Sequence, residues 1–213
     1  MLLKKRDMQL IAVTDTKSIR EGLSLHDAVK RAIIGGASTV MMSDDTMSEE
    51  EYMREAARIK IMCGMYDIPF LVYENVTVAE AVDADGIAVR LKDFNQKEIR
   101  RKFGMERSAG VITTSEEEAI EAARQGASFI FFGPMYGGSK RGNKKIEKNA
   151  GDLMKLCSTV EIPVVAYGGI ADVDLNDLRG TGVCGFGVAG GIFGSDDIAE
   201  AAMRLRKLAI DVL

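Results

Sequence analysis

The feature that most restricts this chain is a rhythm. Short β-branched and aromatic runs alternate with longer segments of helical period, and no Pro-, Gly- or Ser-rich linker interrupts them. The pattern predicts strands near Gln9–Val13, Ser38–Met42, Pro69–Tyr73, Gly86–Arg90, Ser108–Ile112, Ser128–Phe132, Ile162–Ala166 and Gly185–Ala189. The segments between them carry helix signals of separate origin. Ser48-Glu-Glu-Glu51, Thr77-Val-Ala-Glu80 and Ser115-Glu-Glu-Glu118 read as capping boxes, in which a hydroxyl and a carboxylate satisfy the first orphan N–H groups of a helix. Ala119, Ala122, Ala123 and Gly126 give one helix face small enough to lie close on a sheet; Ile198, Ala201, Ala202, Leu205, Leu208 and Ala209 give another.

Eight strand-plus-helix units in 213 residues predict an α/β fold, a single (β/α)8 TIM barrel spanning 1–213 as one domain. A doubly wound open sheet is the competing architecture. It would carry a Gly-rich dinucleotide turn after its first strand, where this chain has Thr14-Asp15-Thr16-Lys17.

Charge and cysteine content narrow the function. A formal net charge of -4 argues against a broad grip on nucleic acid or an anionic membrane. Cys63, Cys157 and Cys184 are far apart and form no CxxC pair, which points to a reducing cytoplasm rather than a disulfide framework. The basic N-terminus lacks the apolar stretch of a signal peptide, and the longest apolar-plus-glycine segment, Gly185 to Gly194, falls well short of the roughly 18 residues that span a bilayer. With His26 as the single histidine, no multi-His zinc centre is available. No lysine lies inside a predicted strand, so a buried Schiff base is disfavoured, with Lys92 at the end of strand four the nearest option.

In a (β/α)8 barrel chemistry sits where strands end, and the loops after strands seven and eight often hold phosphate. Strand seven with its following loop reads Pro163-Val-Val-Ala-Tyr-Gly168-Gly169-Ile170, and the end of strand eight with its loop reads Gly187-Val-Ala-Gly190-Gly191-Ile192. Two neighbouring loops thus lose their side chains at the same height, which exposes backbone N–H groups to an oxyanion. Gly168, Gly169, Gly190 and Gly191 are the candidate phosphate-binding residues. The alternative reading of these glycines is a pair of tight turns.

In order and spacing, Ile11-Ala-Val-Thr-Asp15, Asp85-Gly86, Gly126-Ala127, Gly133-Pro134-Met135-Tyr136, the strand-seven run and Ala189-Gly-Gly-Ile-Phe193 resemble the thiamine-phosphate synthase family and the related thiazole tautomerases. The similarity covers nearly the whole chain. It implies a barrel that binds a thiazole phosphate at strands seven and eight and joins it to a hydroxymethylpyrimidine diphosphate, with Mg2+ helping pyrophosphate leave. Glu74 and Asp93 fall at the positions of the family's two Mg2+-binding aspartates. Ser139 and Lys140, in Gly137-Gly-Ser-Lys140, resemble the hydroxyl and ammonium that hold phosphate oxygens after strand six. Lys140, Arg141, Lys144, Lys145 and Lys148 make this loop basic, either as a solvated segment or as a lid.

The other half of the pattern differs. Where the family reads Gln-Leu-Arg-Glu-Lys after strand two, this chain reads Met41-Met42-Ser43-Asp44-Asp45, and Ile112 and Thr114 replace a Ser and a His after strand five. The resemblance therefore implies a divergent reaction, with Asp15, Asp45 and Lys140 as candidate catalytic groups. Two further expectations stand beside it: a phosphate-ligand-binding or regulatory barrel without catalysis, and an enzyme for a different phosphorylated small molecule.

Overall fold

The computed structural model describes residues 2–137, 145–146 and 149–213, with only the backbone for residues 145, 146 and 173. Eight parallel strands close into a barrel: β1 (Leu10–Val13), β2 (Thr39–Met42), β3 (Phe70–Tyr73), β4 (Gly86–Arg90), β5 (Ser108–Thr113), β6 (Phe129–Phe132), β9 (Val164–Tyr167) and β10 (Gly185–Val188), with β10 pairing back onto β1. Between β6 and β9, the short strands β7 (Tyr136–Gly137) and β8 (Lys145–Ile146) pair antiparallel outside the barrel. This is the (β/α)8 fold, and the open sheet is excluded by the closing β1–β10 pair.

The period of two divides each strand between two cores. Ile11, Met41, Leu71, Ala88, Phe129, Phe131 and Val165 fill the barrel, whereas Leu10, Val40, Phe70, Val72, Ile130 and Ala166 face the helices. The interior is fitted large against small. A Cβ on Gly110 would lie 2.3 Å from the ring of Phe129, so the bare backbone of β5 makes room for a phenylalanine from β6. Below, a 3-10 turn at Lys5–Met8 brings Met8 and Leu3 against Cys184 and closes the N-terminal end.

The helices are α1 (Leu25–Ile34), α2 (Glu49–Met65), α3 (Val76–Ala81), α4 (Gln96–Phe103), α5 (Glu116–Arg124), α6 (Ala150–Thr159), α7 (Gly190–Phe193) and α8 (Ile198–Val212). Ser48 and Glu51 form the expected box at α2. Two of the sequence expectations need correction. At α3 the cap is Asn75, whose side chain accepts from Val78 N–H, so the helix begins before Thr77. At α5 Ser115 caps Glu118 N–H as expected, but the Glu118 carboxylate reaches one residue further back, to Thr114 N–H at 2.7 Å. The seventh unit also lacks an α-helix: Asp172–Leu178 is a 3-10 helix, in keeping with three aspartates and an asparagine that compete for backbone hydrogen bonds. On α8 the small-residue face is buried as the pattern required, through Ile198, Ala201, Ala202, Leu205 and Ala209.

Candidate functional site

At the C-terminal mouth of the barrel lies a cavity of about 630 Å³. Its floor continues the inward-facing rows: Val13, Met41, Tyr73, Ile112, Phe131 and Tyr167. Phe131 and Tyr167 meet edge to face, with centroids 5.9 Å apart and planes at 85°. Burial pushes the Tyr167 phenol up to about 12 and also raises Tyr73, so both remain protonated hydrogen-bond donors at neutral pH. Such a floor suits a flat, weakly polar ring. Met41 faces this space, which makes it softer than a diphosphate pocket.

The glycines form the adjoining wall, and the structure separates four residues that the sequence pattern treats alike. Gly168 and Gly169 have φ of +88° and +70°, and a Cβ on Gly169 would lie 2.1 Å from Tyr136 O. These two are glycines because the turn demands it. On Gly191 a Cβ would lie 2.9 Å from Ile170 O, again too close. Gly190 is different. It opens α7 with no positive φ, and a Cβ there would meet only Asp15 Oδ2 at 3.5 Å and Ser18 Oγ at 3.8 Å, ordinary contacts. Neither packing nor backbone geometry requires glycine there. Among the described residues no hydrogen bond is seen from the N–H of Gly169, Gly190 or Gly191; the first bond of α7 runs from Ile192 N–H to Ala189 O.

A second recess of about 870 Å³ continues the mouth over β1 to β4 and shares Lys17, Ser43 and Tyr73 with the first. It is rich in acids. Asp15 accepts a hydrogen bond from the Ser18 hydroxyl. Asp45 is largely exposed and pairs with Lys17 at 2.7 Å; that contact lowers the carboxyl and raises the ammonium. For Asp44, burial alone would raise the pKa, but hydrogen bonds from Thr16, Thr46 and Met47 outweigh it and hold the group below 3.8.

Asp15 and Asp45 thus reach one rim, and only Asp15 approaches the glycine wall. Ser139, Lys140 and the rest of the basic loop side chains lie outside the described residues. Glu74 and Asp93 do not share a lining: Glu74 borders the acidic recess, while Asp93 sits half-exposed in a 3-10 turn, 4.0 Å from Lys92. Lys92 itself is exposed, which removes it as a buried Schiff-base lysine. As a carboxylate pair for a divalent ion Glu74 and Asp93 fit poorly, because Glu74 is already engaged by Arg90 at 2.6 Å and Asp93 borders neither recess. Sequence reasoning missed Arg90, Tyr73 and Tyr167. Alternation would have found them, since each lies two residues beyond an inward-facing neighbour, Ala88, Leu71 and Val165.

Known proteins share this frame. A sequence model of the family described as thiamine monophosphate synthase matches residues 10–192. Thiamine-phosphate synthase of Persephonella marina is 34% identical over 97% of this chain and 98% of its own, and that of Clostridium beijerinckii is 32% identical over 98% and 99%. The solved structure of thiamine phosphate pyrophosphorylase from Pyrococcus furiosus superposes with a TM-score of 0.86, at 29% identity and 98% coverage of both chains. Similarity at this level runs end to end, through the same strand ends that shape the cavity, and so the chain belongs to the thiamine monophosphate synthase family.

Proposed function

We propose that the cavity binds a phosphorylated thiazole-like heterocycle, with its phosphate against Gly168, Gly169, Gly190 and Gly191 and its ring on the floor of Met41, Ile112, Phe131 and Tyr167. The observation that carries this reading is Gly190. A residue that neither strain nor crowding forces to be glycine, at the edge of a cavity and beside unpartnered N–H groups, is bare for the sake of what approaches it. Ser139 and Lys140 belong to the proposed phosphate site on the family pattern alone. The relatives are named thiamine-phosphate synthases, and the family resemblance makes transfer onto a thiazole phosphate the first reaction to assay.

The reaction itself is proposed to have diverged from that of the synthases. Met41, Ser43 and Asp45 stand where the family pattern has Gln, Arg and Lys, and a diphosphate leaving group would meet Asp15, Asp44 and Asp45 at the rim. No step of this reading runs through Mg2+. A binding or regulatory barrel without catalysis is the second reading, favoured by the rim cations Lys17 and Arg90, which are both already paired with carboxylates. The test is calorimetry with thiazole phosphate alongside a turnover assay containing both synthase substrates. Binding with turnover supports the enzyme, binding alone supports the second reading, and no binding ends both.

A further inference from the structure

Arg90 is the last residue of β4 and the inward-facing successor of Ala88. Its guanidinium Nε lies 2.6 Å from Glu74 Oε1 and 3.3 Å from the Tyr73 hydroxyl, two side chains at the end of β3. The contact is built into the main chain. Glu74 adopts φ +56°, a left-handed conformation that costs a non-glycine residue energy, and its N–H donates to Ala88 O at 2.9 Å, which ties it to β4 two residues before Arg90.

We infer that Arg90 takes the place of a divalent cation at this end of the site, so that the chain binds no metal ion through Glu74 and Asp93. A hard cation needs several oxygens within about 2.0–2.6 Å, and here one candidate carboxylate is already neutralised by a guanidinium that cannot lose its proton. The other, Asp93, is half-exposed on a turn and borders neither recess. Arg90 also lines the acidic recess, where a guanidinium, with five N–H donors, can serve an anionic or carbonyl group of a ligand while paired with Glu74. The charge at this position is therefore permanent and independent of metal supply.

The test uses Mn2+ alone, followed by electron paramagnetic resonance, on the full chain. Wild type is expected to show no saturable site, and Arg90→Ala to gain one. One stoichiometric Mn2+ in wild type, abolished by Glu74→Gln or Asp93→Asn, would overturn the inference. If Arg90→Ala fails to fold, wild type and Glu74→Gln decide alone. The inference is independent of the phosphate reading, since the titration does not involve the glycine wall, and inorganic phosphate binding to Gly190→Ala tests that reading separately.

Discussion

Gly190 opens a helix without a side chain, in a place where alanine would fit. This gives a substitution whose effects on stability and binding should separate. Gly190→Ala should leave the melting temperature unchanged or raise stability by up to about 1 kcal/mol, because a helical glycine loses more entropy on folding than alanine. Its affinity for inorganic phosphate should fall sharply in calorimetry, and unaltered affinity would remove the main support for the phosphate site. Gly169→Ala should behave in the opposite way. With φ +70° and a Cβ 2.1 Å from Tyr136 O, it should lose at least about 2 kcal/mol in chemical denaturation. Asp44 supplies the pH response. Its folded pKa is depressed below 3.8, so its contribution is present above the ordinary value and is lost as pH falls through the folded one. Acid should therefore loosen the Asp44–Met47 loop, read by amide exchange at Thr46 and Met47, and Asp44→Asn should show the looser loop already at neutral pH.

At the scale of elements, caps and interior fit are the tests. Asn75→Ala should cost about 1 kcal/mol by freeing Val78 N–H at the start of α3, whereas Thr77→Ala should cost much less. Gly110→Ala should lose about 1–3 kcal/mol by forcing the Phe129 ring aside. The eight barrel strands were legible because period-two runs and intervening helical faces repeat without a break, and their ends differ from expectation by a residue or two. The cap of α3 was misread for a physical reason: Asn75 and Thr77 both suit a cap, and which one wins depends on how β3 ends, in the left-handed turn at Glu74. The 3-10 helix after β9 was hidden for a similar reason, since its leucines at Leu175 and Leu178 keep the helical spacing while its aspartates weaken the backbone ladder.

For the molecule as a whole, the site was half legible. Glycines at the ends of β9 and β10 are visible in one dimension, but the pairing of Arg90 with Glu74 depends on strand register and appears only when β3 lies beside β4. Global opening has its own reporter in the cysteines. Cys63 and Cys184 are buried, and burial pushes both thiols up to about 12, so a thiol reagent should modify them only as fast as the barrel opens. Their modification rate should rise with denaturant in step with the unfolding transition; fast labelling in native buffer would show that the shell breathes locally. The stopper that Leu3 and Met8 form beneath the barrel bears on traffic as well as stability. With the base sealed, a molecule that reaches Tyr167 comes from the C-terminal mouth, where the acidic recess adjoins the cavity, so a compound lodged over β1 to β4 should slow the departure of whatever arrived before it.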